Sequence, residues 1–338
     1  MRNLNEPVVL RRARLDDVEG LYRLAAAAGH GLTNLPPDRD KLAERIAVSL
    51  AEPGPSGLPA AVLFVLEVGG RVGGAAAIWP RIGEGRPFYS YRIDEQVAAC
   101  APYDLAVKTR TLTLTTEFTG QTEVGGLLID PALRGVAAGR LTARARYLFI
   151  AEHRSAFPER VVAELRGWQD AHGVSPVWEA LGRRFYALPF PDADRLSVAD
   201  HDFIGEMAPR HPIYVDILPP EAQAAIGQPH AEGRAALRLL IEEGFEDRGH
   251  VDVFDAGPTV SAAIDALTAV RDSRGAVVVG IEDFAGAGAQ HLVSAGRTDA
   301  FRAARGGLRA EAGGVVLARA LAQALNVAVN DRVRHVAF

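Results

Sequence analysis

Cysteine is nearly missing from this sequence: the 338 residues contain one, Cys100. A single thiol cannot form an intramolecular disulfide, a cysteine-based metal cluster or a Cys-x-x-Cys redox pair, so these features are excluded. Because secreted proteins of this kind usually carry disulfides, we expect an intracellular, cytoplasmic protein.

Long apolar runs and an excess of basic charge are also missing. No stretch is long enough to span a membrane, and the N-terminal segment lacks the apolar core of a signal peptide. The formal net charge is −5 and lysine is very rare, so the chain has no electrostatic footprint for nucleic acid. With 48% hydrophobic and 23% charged residues, it is expected to form a packed protein of two or three domains.

Several site motifs are absent as well. No Gly-Lys-Ser/Thr loop, Gly-x-Gly-x-x-Gly fingerprint or His-Glu-x-x-His spacing occurs. The sequence therefore predicts neither a Walker-type nucleotide site nor a dinucleotide site, and it predicts no metal centre.

The most informative segment that is present spans residues 122–141. An apolar run from Val124 to Ile129 is followed by Asp130-Pro131, a small-residue loop opened by Arg134, and a helical pattern from Gly139. Backbone N–H groups of such a loop, with the positive end of a helix dipole, bind pyrophosphate. The alternative is that the loop is only a tight strand-to-helix turn.

Hydrophobic periodicity and turn residues give a coarse secondary structure. Residues 8–14 read as an edge strand, and 83–108 read as an inserted extended segment. The pattern predicts helices at 16–28, 38–50, 139–153, 175–185, 234–245 and 314–325, and further strands at 61–68, 72–79, 109–118, 124–129, 160–165, 186–190, 250–254 and 331–336.

This order resembles the GCN5-related N-acetyltransferases. The spacing Arg134-x-x-Ala137-x-Gly139 is similar to the acyl-CoA loop of that superfamily, with Ala137 where a glycine is usual. The resemblance implies an α+β fold with a mixed central sheet flanked by helices. A helix and strand at 234–254 point to a second, fainter copy of the fold, and the end of the chain reads as a small α/β appendage.

With all segments in order, the chain resembles the arginine N-succinyltransferase family. The resemblance covers about residues 8–275 and rests on these segments: Gly31-Leu-Thr-Asn-Leu-Pro36, Phe64-Val-Leu-Glu67, Tyr89-Ser-Tyr-Arg92, Leu128-Ile-Asp-Pro131, Val161-Val-Ala-Glu-Leu-Arg-Gly167, His172-Gly-x-Ser-Pro-x-Trp178, Leu181-Gly-x-Arg-Phe185, Met207-x-x-x-His211-Pro-Ile-Tyr214, Ala225-Ile-Gly-Gln-Pro-His230 and Asp252-Val-Phe-Asp-Ala-Gly-Pro258.

The family resemblance implies a domain order and a set of site residues. We expect an acyl-CoA-binding domain at 1–195, a second half at 196–275 that carries the catalytic histidine, and an appendage at 276–338. The matching histidine is His230, as the proton carrier. Leu127 would contact succinyl-CoA through its backbone, and Arg134, Ala137 and Gly139 would form the donor loop.

The implied reaction moves succinyl from succinyl-CoA to the α-amine of L-arginine, as the first step of arginine catabolism through succinylated intermediates. A neutral amine must attack the thioester, so a base is needed, and histidine suits it because its pKa lies near neutral pH. The alternative is that His230 has no catalytic role and is an ordinary residue before a helix. Carboxylates are candidates for binding the guanidinium, and arginines for binding the succinyl carboxylate: Glu117, Glu164 and Asp252 for the first, and Arg92 and Arg166 for the second.

Three functional alternatives stay open at this stage. A relative could prefer ornithine as acceptor or acetyl-CoA as donor. In a different class, the chain could be a non-catalytic partner subunit of a hetero-oligomeric acyltransferase. A homo- or hetero-oligomer with a similar subunit is expected in either case.

Overall fold

The computed structural model describes residues 7–28, 35–54, 56–133, 137–199, 202–284 and 290–338. In those ranges the strands, in chain order, are β1 (Val8–Arg12), β2 (Val62–Val68), β3 (Arg71–Trp79), β4 (Ser90–Cys100), β5 (Leu105–Thr115), β6 (Thr122–Ile129), β7 (Arg160–Glu164), β8 (Ile213–Tyr214), β9 (Glu246–Val251), β10 (Pro258–Ala263), β11 (Arg274–Glu282), β12 (Gln290–Ala295), β13 (Arg302–Glu311), β14 (Gly314–Ala318) and β15 (Arg332–Ala337).

Helices are distributed along the whole chain between these strands. They are α1 (Val18–Ala28), α2 (Arg39–Leu50), α3 (Ala138–Glu152), α4 (Arg183–Tyr186), α5 (Phe190–Ala199), α6 (Phe203–Met207), α7 (Pro220–Ala225), α8 (Arg234–Glu243), α9 (Thr268–Arg271) and α10 (Arg319–Leu325). The predicted α+β class, with a mixed sheet and flanking helices, is confirmed: β11 pairs parallel with β14 and antiparallel with β15.

The chain forms two compact units that are discontinuous in sequence. Unit 1 comprises residues 1–80, 122–159 and 263–338, and unit 2 comprises 81–121 and 160–262. The domains expected from sequence were three consecutive segments. Their boundaries near 195 and 275, and the internal duplication, stay predictions.

One half of unit 1 is an antiparallel sheet in the order β13-β1-β2-β3-β6. Side chains of β2 and β3 that point to one face pack with α1 and α2 around Leu42 and Ile46. On the opposite face, Phe64 of β2 packs edge-on against Phe149 of α3, with ring centroids 5.3 Å apart. The sheet is thus buried on both faces, which fixes β6 and the start of α3.

The other half of unit 1 is a closed ring of five strands. β11 pairs with β14, β14 with β13, β13 with β12, β12 with β15, and β15 again with β11. Val278, Val293 and Leu317 fill its interior, and α10 adds Leu321. Because β13 also pairs with β1, the predicted C-terminal appendage continues the main sheet.

The strands of unit 2 pair in the order β7-β10-β9-β4-β5-β8. Its core surrounds Trp178, whose ring stacks on Tyr186 at a centroid distance of 5.4 Å. A π-helical turn, Trp178–Gly182, precedes α4. A side chain at Gly182 would collide with the Trp178 ring, so this turn requires glycine.

Three sequence-based assignments were wrong. The predicted edge strand is interior, because β1 pairs with both β2 and β13; its arginines suggested an edge, but Arg11 is buried in ion pairs with Asp17 and Glu67. The predicted strand at 186–190 is replaced by α4, a short turn and α5. The predicted helix at 314–325 is strand β14 followed by α10, since its β-branched valines pair in the ring.

Most of the remaining expected elements match the structure, but the strand predicted at 250–254 overlaps β9 only at His250 and Val251. Helix α2 begins as predicted, with the Asp38 carboxylate accepting the backbone N–H groups of Asp40 and Lys41. The segment predicted as an extended insert, 83–108, contains all of β4 and the start of β5, which pair as a long hairpin. None of the helices in the described ranges combines the length and the unbroken apolar character of a membrane span.

Candidate active site

Strand β6 carries a bulge at Leu127. Ala75 of β3 lies opposite Leu128 and Ala77 lies opposite Gly125, so two residues of β6 face one residue of β3. Gly126 takes a positive φ of 59° there, which a glycine adopts without strain. The bulge comprises Gly126 and Leu127, so Leu127, the predicted backbone contact with succinyl-CoA, lies where the ladder between β6 and β3 is interrupted.

A buried arginine supports the bulge from α3. Arg146 Nη1 donates to the carbonyl oxygens of Gly125, at 3.1 Å, and of Ala77, at 3.4 Å. These carbonyls flank the bulge on the two strands. Burial lowers the pKa of Arg146 from its usual value. Arg146 therefore holds the irregular backbone in one geometry.

The predicted donor loop connects β6 to α3. Arg134 lies outside the described residues. Asp130 begins the loop, its backbone N–H bonding Gly73 O at 2.9 Å and its carboxylate accepting the N–H of Ala132 at 2.8 Å. Ala137 precedes α3 in the left-handed region, with φ 60° and ψ 12°. This conformation favours glycine, which explains the glycine usual at this position of the resembled loop.

The first turn of α3 is suited to an anion. Ala137 has no side-chain acceptor to cap the helix, and the helix runs for fifteen residues to Glu152. A Cβ at Gly139 would meet only Ile129 Cγ1, at 3.9 Å. Packing within the chain does not demand glycine there, whereas close approach of a ligand would.

His230 is held in unit 2 by backbone pairing between two of the segments on which the resemblance rests. The N–H of His230 donates to Arg166 O at 2.8 Å, and the N–H of Trp168 donates to Gln228 O at 2.9 Å. Gly167 and Pro229 form an antiparallel bridge between these bonds. The imidazole is therefore positioned by a short ladder and not by a free loop.

The imidazole itself has a defined orientation. The backbone N–H of Glu232 donates to Nδ1 of His230 at 3.3 Å, which places the proton of a neutral ring on Nε2. Partial burial, and then the positive charge of Arg166, lower the pKa of His230, while the charge of Glu232 acts in the opposite direction. The imidazole is therefore neutral near pH 7, and Nε2 is the ring nitrogen left to interact with a substrate.

A third segment, Asp252–Pro258, packs against this ladder and hydrogen-bonds to it through Asp255. The buried carboxylate of Asp255 accepts the N–H of Gly167 at 2.8 Å and of Gly257 at 2.9 Å. Burial, and the charge of the neighbouring Asp252, raise the pKa of Asp255. A side chain at Gly257 would collide with Leu165 O, and one at Gly167 would come within 2.5 Å of Asp255 O. Both glycines are needed for this close packing.

The residues predicted to bind the acceptor and the succinyl carboxylate all lie in unit 2 and already have partners. The Arg92 guanidinium bonds Asp94 at 2.8 Å, and Glu117 bonds His250 Nε2 at 3.2 Å. Their roles stay predictions. The other three candidates also form hydrogen bonds within unit 2. Glu164 accepts from the Thr259 hydroxyl at 3.1 Å, Arg166 donates to Gln169, and Asp252 accepts from the backbone N–H of Phe254 at 2.7 Å.

Sequence reasoning missed Glu123. This residue lies opposite Trp79, on the face of the sheet that packs with α1 and α2. Its carboxyl and the Trp79 ring both approach the space above Gly125, at 3.4 and 3.0 Å from where a Cβ would lie. Burial raises the pKa of Glu123 from 4.5 to about 7. The only signal in the sequence was a glutamate in an apolar strand.

No group of three or more His, Cys, Asp or Glu side chains in the described ranges could hold a metal ion. Unit 1 thus carries a bulged strand, an uncapped helix start and a carboxyl that titrates near neutral pH. Unit 2 carries an oriented imidazole. Within unit 1, a helix start suited to an anion follows a bulged strand, and unit 2 independently holds an imidazole that can carry a proton.

Comparison with known proteins identifies relatives along the whole chain. The model of the arginine N-succinyltransferase beta subunit family matches residues 8–269, and that of the C-terminal domain of this beta subunit matches residues 274–337. Arginine N-succinyltransferases are 38% identical over 332 residues in Salmonella schwarzengrund (strain CVM19633), covering 96% of both chains, and 39% identical over 302 residues in Enterobacter sp. (strain 638), covering 88% of both.

One solved structure is similar over nearly its full length. Arginine/ornithine succinyltransferase subunit AI from Pseudomonas aeruginosa superposes with a TM-score of 0.87 at 33% identity. The match covers 98% of this chain and 99% of that one.

Proposed function

The chain belongs to the arginine N-succinyltransferase family, and on that premise we propose that it transfers succinyl from succinyl-CoA to the α-amino group of L-arginine. The products are CoA and N2-succinyl-L-arginine. The observation that carries the proposal is the match over 96% of the chain to a relative named for this reaction. The acyltransferase class expected from the sequence is confirmed.

Transfer is direct, from thioester to amine. The neutral α-nitrogen attacks the thioester carbonyl, the carbon–sulfur bond breaks, and the proton lost from nitrogen balances the one gained by the thiolate. Cys100, the one thiol, lies in an exposed hairpin and is not placed among the groups described above. We therefore assign no covalent enzyme intermediate.

The donor is bound by the β6–α3 region of unit 1. The start of α3 takes the CoA pyrophosphate, and the backbone N–H of Leu127, at the bulge, donates to the thioester oxygen as negative charge develops on it. Arg146 contributes indirectly, because it fixes the carbonyls on both sides of the bulge.

His230 donates or accepts a proton at Nε2. In the orientation described above, Nε2–H donates to a developing oxyanion. Acting as a base at Nε2 requires the other tautomer, which gives up the 3.3 Å bond from Glu232. That bond is long for a neutral hydrogen bond, whose net contribution is only about 1 kcal/mol, so both roles are accessible.

Glu123 is proposed as the group that first takes a proton from the α-ammonium. We expect Glu123→Gln to lower kcat/KM at pH 7 by roughly ten- to a hundredfold, because general base catalysis needs an ionisable group. Activity of the parent should rise with pH through about 7, where Glu123 loses its proton. The pH profile of kcat/KM should lose this rise in the variant.

Stability provides the control for this variant. The pKa of Glu123 is raised in the folded state, so folding favours the protonated form and stability falls as pH rises from 4.5 to about 7. Glutamine removes that penalty, so the Tm of Glu123→Gln at pH 8 should be no lower than the parent's. An unchanged rate profile would remove Glu123 from the mechanism.

The reaction itself is tested by release of free CoA thiol from purified protein. Succinyl-CoA and acetyl-CoA are each paired with arginine, ornithine and lysine. Rapid turnover with succinyl-CoA and arginine is expected. Absence of turnover with every pair, in protein that still binds CoA, would contradict the proposal and favour a non-catalytic partner subunit.

Ornithine is the acceptor that most deserves comparison, because the similar Pseudomonas aeruginosa structure is of an arginine/ornithine succinyltransferase. The ratio of kcat/KM for the two acceptors decides between them. An oligomer, with a second copy or a similar subunit, is part of this proposal as well.

A further inference from the structure

Two arginines lie against one aromatic ring near the start of α3. The guanidinium carbon of Arg305, on β13, lies 4.7 Å from the ring centroid of Phe338. The guanidinium carbon of Arg140, in the first turn of α3, lies 5.7 Å from the same centroid. Both arginines are exposed, and all three residues belong to unit 1. We call Arg140 and Arg305 the arginine pair.

The position of Phe338 is fixed by backbone bonds and by α3. Its N–H donates to Gln290 O at 3.0 Å, which continues the pairing of β15 with β12. One turn after Arg140, Nη1 of Arg144 donates to Ala337 O at 2.8 Å. Because residues four apart lie on the same face of a helix, Arg140 also faces the end of β15. The ring is therefore held beside the first turn of the helix.

The arginine pair has no acidic partner in the part of the chain that the structure describes. The first turn of α3 contains no acidic residue either. Arg309, four residues further along β13, shows the contrast, because Glu282 and Glu311 offset its charge at 3.1 and 2.7 Å. The Phe338 ring attracts both guanidinium groups, but they repel each other and lie beside the positive end of a helix dipole. An anion is the group that this arrangement favours.

The donor proposed above carries a suitable anion. Besides its pyrophosphate, coenzyme A has a phosphate monoester on the 3′-oxygen of its adenosine, with about 1.5 to 2 negative charges at pH 7. Only the ribose separates this 3′-phosphate from the pyrophosphate. Arg140 lies about 3 Å along the helix axis from Ala138, the first residue of α3. The two phosphate groups of one CoA therefore match two neighbouring cationic features of unit 1.

We infer that Arg140 and Arg305 bind the 3′-phosphate of coenzyme A, an inference that rests on the succinyl-CoA-dependent function proposed above. A guanidinium presents its N–H groups in a planar fork that fits phosphate oxygens, and a phosphate bound by both arginines offsets both charges. Phe338 orders the two side chains around this position. The site selects coenzyme A over carriers that lack the 3′-phosphate. It takes no part in the chemistry, because this phosphate is at the opposite end of the molecule from the thioester.

Calorimetric titration of the purified chain with CoA and with 3′-dephospho-CoA tests the inference, because the two ligands differ only in the 3′-phosphate. The parent is expected to bind CoA roughly ten- to a hundredfold more tightly, the range for hydrogen bonds to a charged group. Arg140→Gln and Arg305→Gln should each weaken CoA binding by about tenfold or more. Their affinity for 3′-dephospho-CoA should be unchanged, which also shows that they fold.

Arg309→Gln is the matched control. Arg309 is also exposed on β13, and its guanidinium carbon lies 5.7 Å from the ring centroid of Phe284, but its charge is already offset by two glutamates. This variant should bind both ligands as the parent does.

Steady-state kinetics give a second readout. In the two variants of the arginine pair, KM for succinyl-CoA should rise while kcat is kept, since the 3′-phosphate is remote from the reacting carbonyl. A fall in kcat with unchanged KM would contradict a binding role.

Three outcomes of the titrations would overturn the inference. They are equal affinity of the parent for CoA and 3′-dephospho-CoA, a preference for CoA that survives both substitutions in the arginine pair, and an equal loss of preference in Arg309→Gln. Failure of the parent to bind either ligand would instead contradict the donor site at α3, and the proposed function and this inference would fall together.

Discussion

Replacing His230 by alanine is expected to lower kcat for succinyl transfer by about two to four orders of magnitude, the usual contribution of a positioned acid or base. The ring is held by backbone bonds that alanine keeps, since the N–H of residue 230 still donates to Arg166 O. The variant should therefore fold normally and bind CoA normally. Single-turnover release of CoA thiol, with CoA binding measured in parallel, checks both expectations.

The glutamine variant separates the two roles of His230. Glutamine can place an N–H near the position of Nε2 but cannot accept and return a proton. If His230 is an acid or base, His230→Gln should be as inactive as His230→Ala. Activity of the glutamine variant within tenfold of the parent would show that the side chain only donates a hydrogen bond. Full activity of both variants would contradict any role.

Gly167→Ala is expected to have the largest effect on stability, with a loss of roughly 3 kcal/mol or more in the free energy of unfolding. The added methyl group would lie 2.5 Å from Asp255 O and 2.6 Å from its carboxylate, which is closer than real contacts allow. Overpacking typically costs 1–3 kcal/mol, and displacing Asp255 also leaves two buried N–H groups without their acceptor. Urea denaturation measures the loss.

Gly233→Ala is the matched control. Gly233 lies just after His230 with φ −78°, and a methyl group there would meet Leu165 and Pro229 only at 3.8 Å and beyond. It should change stability by less than about 1 kcal/mol. Equal losses in the two variants would contradict the proposed locking of the His230 ladder by Asp255. Reduced kcat in the folded fraction of Gly167→Ala would further link the ladder to catalysis.

The sequence predicted best what depends on local signals. Helix α2 follows its Asp38 cap, and α3 follows a small-residue loop, so their starts were found within a residue or two. The segments with His230, Gly167 and Asp255 were recognised one by one. Their convergence depends on hydrogen bonds between residues as far as 88 positions apart, such as Gly167 and Asp255, which no local pattern contains.

Other features arise only from long-range packing. The bulge at Leu127 depends on the register between β6 and β3, and the raised pKa of Glu123 depends on what surrounds it. Strand β1 looked like an edge because Arg11 and Arg12 alternate poorly with apolar residues. Its second partner, β13, lies almost at the other end of the chain. The segment 314–325 shows the same limit: its alanines suggested one helix, but the valines of β14 pair with β11 and β13 before α10 begins.

The pairing of β1 with β13 also has a consequence for synthesis on the ribosome. Arg11 lies opposite Arg302, so roughly 290 residues must be added before this edge of β1 can close. At about 5–20 residues per second, synthesis of this length takes roughly 15 s to a minute. During that time β1 can pair only with β2, and its other edge stays unpaired. The last strands to emerge complete the sheet on which α1 and α2 have already begun to pack, and a chain released before residue 302 would retain an open edge.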